Sequence, residues 1–155
     1  MNLKITAASL VIALATFSAA QAQEKKLKRE QLPPAVERTV AEQSKGATIV
    51  GFATEVEHGK RLYEAELKVD GHGKDILMDK NGNIVEIEEE MSMDSLPDAV
   101  KEGLKKAARA GTIAKIESLT KNGKLVAYEA VVKTGTKRSE IQVGPDGQQK
   151  LAHPE

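Results

Sequence analysis

The sequence predicts an α+β fold: two repeats, each one helix followed by a four-stranded antiparallel meander, with the helices packed on one face of the sheet or sheets. Three observations predict it. Short motifs recur in order some 64 residues apart, each recurrence opens with a helix-start signal, and the residues after it alternate apolar with polar.

The recurrence begins at Leu32-Pro33-Pro34-Ala35-Val36, which returns as Leu96-Pro97-Asp98-Ala99-Val100. Thr48 and Ile49 match Thr112 and Ile113, and Gly59-Lys60 matches Gly123-Lys124. One insertion then shifts the spacing to 65. Tyr63-Glu64-Ala65 matches Tyr128-Glu129-Ala130, Lys68 matches Lys133, Ile76 matches Ile141 and Gly82 matches Gly147.

Pro33 and Pro97 suit a first helical turn, where a missing N–H costs nothing. Ser95 with Asp98 three residues on resembles a cap. Val36, Thr39 and Val40 form one helix face, and Val100, Leu104, Ala107 and Ala108 the other. Gly46 and Gly111 are expected to end the helices.

Strands are expected at Thr48–Val56, Leu62–Val69, Ile76–Met78 and Ile84–Ile87. Their counterparts are Ile113–Leu119, Tyr128–Lys133, Ser139–Val143 and a weak Gln148–Leu151. Between them, His58-Gly59, Asn81-Gly82, Asn122-Gly123 and Asp146-Gly147 are hairpin-turn signals. The expected division is a signal peptide at 1–22, a charged, mobile lead-in at 23–31, a first repeat at 32–90, a linker at 91–95 and a second repeat at 96–155.

An exported precursor is expected from the first residues. Lys4 supplies a charge, Ile5 to Phe17 is an uncharged run of 13 residues, and Ala20 and Ala22 form a small-residue cleavage site before Gln23. The run is shorter than the roughly 20 apolar residues that span a bilayer. The expected location is the periplasm or the exterior, with no membrane insertion after cleavage. The chain has no cysteine, so no disulfide can help a small secreted core. Cleavage leaves 22 basic and 23 acidic side chains, too balanced a charge to attract nucleic acid. Phe52, Tyr63 and Tyr128 are too few rings for base stacking.

The helix-start motif, the Gly-Lys and Tyr-Glu-Ala pair and the glycine hairpin, repeated in register, resemble the PepSY-like domains. In particular they resemble the tandem form called beta-lactamase-inhibitor-like, PepSY-like, over about Leu32 to Leu151. The resemblance implies two helix-plus-sheet units joined into one larger sheet with both helices on the same side. It implies inhibition or restraint of peptidases as a theme, and carries no catalytic set.

Candidate chemical sites are sparse. His58, His72 and His153 fall in expected turns or the tail without the three or four convergent ligands of a zinc site. The turn from Asp79 to Asn83 lacks the glycine and glutamate spacing of a calcium loop. Glu86, Glu88, Glu89 and Glu90 read as a solvated strand edge. No nucleophile elbow, phosphate loop or dinucleotide fingerprint occurs. No catalytic residue, cofactor or metal is therefore expected.

The surviving candidate is the sheet face away from the helices, with Glu64, Glu66 and Lys68 in the first repeat and Glu129, Val131 and Lys133 in the second. A wet sheet face is the plain reading. The functional reading is a non-enzymatic module that contacts a protein or peptide there, such as an envelope peptidase. A ligand- or cation-binding sensor using Glu86–Glu90 and the Asp79 turn is one alternative, and an enzyme of unrecognised type is another.

Overall fold

Among the described residues, nine strands and two helices follow one another: β1 (Lys25–Leu27), α1 (Pro34–Gln43), β2 (Thr48–Glu57), β3 (Lys60–Val69), β4 (His72–Met78), β5 (Ile84–Glu90), α2 (Asp98–Ala108), β6 (Thr112–Lys121), β7 (Lys124–Thr134), β8 (Lys137–Val143) and β9 (Gln149–Lys150). This is a computed structural model, and it describes residues 25–57 and 59–150. The expected signal peptide, His58 and His153 lie outside the described residues.

The strands form one antiparallel sheet in strict chain order, β1 to β9. This corrects the expectation of two helix-plus-four-strand repeats. The acidic run supplies the physical reason. β5 pairs on both edges, with β4 (Ile76 opposite Ile87) and with β6 (Glu88 opposite Leu119, Glu90 opposite Glu117), so no boundary separates the halves. Lys25–Leu27, within the lead-in expected to be mobile, adds a first strand against Phe52–Thr54. The register Lys25 opposite Thr54 recurs 64 positions on as Glu89 opposite Ser118. A short 3₁₀ turn, Arg29–Gln31 or Met93–Ser95, then precedes each helix.

Residues directly opposite on neighbouring strands share a face. The row Phe52–Ala65–Ile76–Ile87–Thr120 therefore lies on one side, and four positions back along β6 the same side carries Ile116, with Ala130 and Ile141 opposite it in turn. Val36 and Val40 of α1 pack over the first part with Phe52, Leu67 and Met78. Val100 and Leu104 of α2 pack over the second with Ile116, Tyr128 and Val143. Both helices thus cover one face, above two separate apolar clusters.

Local signals differ in detail. Pro33 and Pro97 are N-caps in extended geometry, one position before the first helical turn. Ser95 does not cap α2; its hydroxyl donates to the Ser92 carbonyl at 2.8 Å. α1 stops at Gln43, three residues before Gly46, and α2 ends at Ala108, with Arg109 after it taking the positive φ expected at a glycine. Gly111 instead makes room, since a Cβ there would meet Val132 Cγ1.

Two hairpin glycines fix how the helices sit. Gly82 and Gly147 have φ of 79° and 76°, and their turns press on the helix backbone. A Cβ on Gly82 would lie 2.5 Å from the Ala35 carbonyl oxygen, and one on Gly147 2.0 Å from that of Ala99. Thr39 Oγ1 donates to the Gly82 carbonyl at 2.8 Å, tying α1 to the β4–β5 turn.

Gly46 shares the positive φ of 79° but would place its Cβ in open space. Gly46→Ala should therefore cost only the left-handed backbone penalty, about 1 kcal/mol. Gly147→Ala adds a backbone collision and should cost about 3 kcal/mol or more, read by urea denaturation. Equal losses at the two sites would contradict the close helix–turn approach.

Candidate functional site

The face opposite the helices is concave. β2 and β6 stand four strand spacings apart, roughly 19 Å in a flat sheet. Yet Lys121 Nζ on β6 reaches Glu57 Oε1 on β2 at 3.5 Å while it holds Glu86 Oε2 at 2.7 Å. The sheet must curl for one ammonium to touch both. Ala53, Leu62, Leu77, Leu119 and Ala127 all belong to this face by register and are buried, giving the hollow an apolar floor without a helix above it.

Its middle is acidic in an unusual pattern. Glu66, Asp75 and Glu88 stand directly opposite one another across β3, β4 and β5. Glu90, Glu117 and Glu129 do the same across β5, β6 and β7. Like charges placed opposite each other destabilise a sheet, so two such rows are a cost the fold carries. Oxygens of Asp75, Glu88 and Glu117 lie within 4.8 Å of one another.

Each carboxylate is managed locally. Glu117 Oε1 is buried and lies 2.5 Å from Lys115 Nζ. Nothing among the described residues donates to that oxygen with hydrogen-bond geometry, so the close charge contact with Lys115 is its compensation. Burial alone would lower the Lys115 pKa, but the close contact with the charged Glu117 raises it above the ordinary lysine value. Burial likewise opposes Glu86 and Glu57 at Lys121, and the carboxylates win there too. Glu129 is pushed up by burial, partly offset by Gln142 Nε2 donating to its Oε2 at 2.6 Å.

Among the described residues, no lysine or arginine forms an ion pair with Glu88. Burial, then the charges of Glu117, Glu129, Glu86 and Asp75, push its pKa up to about 8. Glu88 therefore carries a proton at neutral pH, and the trio holds fewer negative charges than its residue types suggest.

The sequence candidates fall on this face as follows. Glu64 and Glu66 lie on β3 within the hollow, opposite Leu77 and Asp75, with Lys68 exposed at the strand end. Glu129 and Val131 lie on β7 opposite Glu117 and Lys115, and Lys133 is exposed near its end. The structure brings Glu66 and Glu129 near the acidic rows and leaves the two lysines outside them. It adds Asp75, Lys115, Glu117 and Lys121, which sequence reasoning passed over because their pairing is long-range.

The reading of Glu86, Glu88, Glu89 and Glu90 as a solvated edge is corrected in its edge: Glu89 and Glu90 are exposed, but their strand is paired on both sides. β5 is fifth of nine strands, and Glu86 is buried beside Lys121. Glu89 points to the helix side, where it meets Lys74 at 2.8 Å. The Asp79 turn has used its acceptors on itself: Oδ1 takes the N–H groups of Asn81 and Asn83, and Oδ2 the Asn83 side chain. The bond from Asn83 is the main cause holding the Asp79 pKa below its ordinary value. His72 is exposed at the start of β4.

No protein-family model matches the chain, and no curated protein matches it. Solved structures share its fold. A BLIP-like protein from Bacteroides fragilis is 21% identical with a TM-score of 0.56, over 76% of this chain and 82% of that one. A DUF2874 family protein from Bacteroides ovatus is 16% identical with a TM-score of 0.60, over 76% and 84%. A third, from Bacteroides eggerthii and provisionally assigned to the periplasm, is 15% identical with a TM-score of 0.62, over 76% and 85%. The chain has a BLIP-like fold.

A carboxyl with its folded pKa above the unfolded value binds more protons when folded. Its contribution to stability is present below the unfolded value of 4.5 and is lost as pH rises towards 8. Wild-type stability should therefore fall, relative to Glu88→Gln, by about 1–3 kcal/mol between about pH 5 and 8.5. Denaturant titrations across that range give the difference. Parallel curves for the two proteins would contradict the proton on Glu88.

Proposed function

We propose that the protein is an exported, non-enzymatic binding module of the tandem PepSY-like type, which contacts a protein or peptide of the cell envelope through its concave face. The observation that carries this reading is the curl measured by the Glu57–Lys121–Glu86 contact. It turns the helix-free side of the sheet into a preformed hollow with an apolar floor and charged walls.

Binding surfaces gain from being held in shape before the partner arrives, because less ordering remains to be done. Here the two helices brace the convex side and leave the concave side uncovered. The signal-like start and the periplasmic assignment of a structure with this fold support export. The resemblance to PepSY-like domains makes an envelope peptidase the partner to try first.

Residues 23–155, used as bait against an envelope fraction, should retain a specific partner. Changing Glu64 and Glu129 to Lys should weaken that contact at least about tenfold, equivalent to about 1.4 kcal/mol. Retention unaffected by the double change would remove the concave face from the proposal.

A further inference from the structure

We propose that Asn122 is a site of spontaneous covalent modification. Its side-chain amide closes onto the backbone nitrogen of Gly123, and water then opens the ring to aspartate or isoaspartate. The modification is independent of any partner.

Asparagine is among the thermolabile residues, and most of all before glycine. The Gly123 nitrogen attacks Asn122 Cγ and an N–C bond forms. The Cγ–Nδ2 bond breaks, and ammonia leaves with the proton that the backbone nitrogen gives up. Water adds to one of the two ring carbonyls. Opening one way gives aspartate; opening the other way leaves the main chain running through the side-chain carbon, as isoaspartate. Water is the only co-reactant. The rate depends on a following residue with no side chain over its nitrogen, and on a backbone able to swing that nitrogen to the amide.

The chain has two Asn-Gly pairs, Asn81-Gly82 and Asn122-Gly123, which the sequence leaves equivalent. The fold separates them. At the first, the attacking nitrogen is occupied, because the Gly82 N–H donates to the Asp79 carbonyl at 2.9 Å. The Asn81 N–H and the Asn83 side chain both donate to the Asp79 carboxylate. The Gly82 carbonyl accepts from Thr39, and the turn rests against the Ala35 carbonyl of α1. Swinging the Gly82 nitrogen out means breaking these contacts together.

Asn122 is the opposite case. It and Gly123 are exposed, and nothing lies within 4 Å of where Gly123 would carry a Cβ. Among the described residues, no backbone carbonyl accepts the Gly123 N–H. Lys121 and Lys124 flank the pair, and positive charge nearby favours the nitrogen anion that attacks. Asn83 precedes Ile84, whose branched side chain crowds the nitrogen.

The turn is also tied to the β5–β6 seam. The Asn122 N–H donates to the Val85 carbonyl on β5 at 3.0 Å, and Lys121 beside it contacts both Glu57 and Glu86. The product places a new carboxylate next to that lysine. Isoaspartate also adds a backbone carbon to the tight turn between Lys121 and Lys124. Modification therefore loosens the end of the sheet that Lys121 closes.

The experiment is timed incubation of the purified protein at mildly alkaline pH, then digestion with a glutamate-specific protease and mass spectrometry. Segment 118–129 reports Asn122 and segment 67–86 reports Asn81, with fragment spectra separating Asn81 from Asn83. In the folded protein Asn122 should convert at least about tenfold faster than Asn81. In urea, with both turns open, the two rates should agree within about twofold. Thr39→Val removes one tie on the Gly82 turn, so it should speed conversion of Asn81 several-fold and leave Asn122 unchanged. Urea unfolding establishes that this variant is folded, and the wild-type ratio stands if it is not. Protein converted at Asn122 should unfold at a lower urea concentration than fresh protein.

The proposal is overturned if Asn81 converts as fast as Asn122 in the folded protein. It is also overturned if Asn122 stays intact there while it converts in urea. Identical urea midpoints before and after conversion would break the link from the turn to the seam.

Discussion

The pairing of β5 with β6 is the constraint on which the rest depends. It is not a hairpin: α2 and its flanking turns intervene between the two strands, and no tight turn holds them together. Yet it converts a chain of hairpins into one sheet by sealing Glu86–Glu90 against Glu117–Lys121. Once sealed, the sheet has only two edges, both formed among the described residues by short strands, β1 and β9. Short edges with lysines on them are a poor template for further pairing. The seam also brings the carboxylates of both halves onto a common face.

That seam is built from groups that repel, so its stability comes from elsewhere. On the helix side, Ile87 joins the cluster beneath α1, while Met91 and Met93 join the one beneath α2. The backbone ladder runs on past the strand, with the Met91 N–H bonded to the Ile116 carbonyl at 2.8 Å. On the concave side, Lys115 and Lys121 neutralise part of the charge and Glu88 holds a proton. Apolar packing on one face thereby sustains an electrostatically unfavourable arrangement on the other. A sheet buried on both sides could not do this, because the carboxylates would have no water and no room for a cation.

Much of this was legible in the sequence, and the failures have a common cause. Alternation in Leu62–Val69 located β3 and its faces, and the paired prolines located both helix starts within one residue. These signals are local: they depend on neighbours within a turn or a period. The partner of a strand is not local. Ile84–Ile87 shows alternation, but nothing in it says that its second edge meets Leu119, so the glutamates beyond it read as solvent-facing. Lys25–Leu27 is too short for any period to register, and only the spacing to Glu89–Met91 could have suggested it. Lys115 and Glu117 sit two apart on one strand, an ordinary solvent-face pair on paper. The curl of the sheet is what turns them into part of a buried charge cluster.

Curvature therefore carries the functional weight, and it is set by the convex side. Gly82 and Gly147 let the hairpin turns reach under the helix starts, and Gly103 admits the Gly147 carbonyl against α2. These contacts hold the helices close at two separate places instead of over one flat core. A sheet pinned at two points on one side is free to bend towards the other, and twist accumulated over nine strands supplies the bend. The Glu57–Lys121 contact closes it at one end. The hollow is thus a product of backbone approaches made far from it, by glycines whose own chemistry is inert. Its acidic residues set the charge of that surface, while those glycines set whether the surface exists.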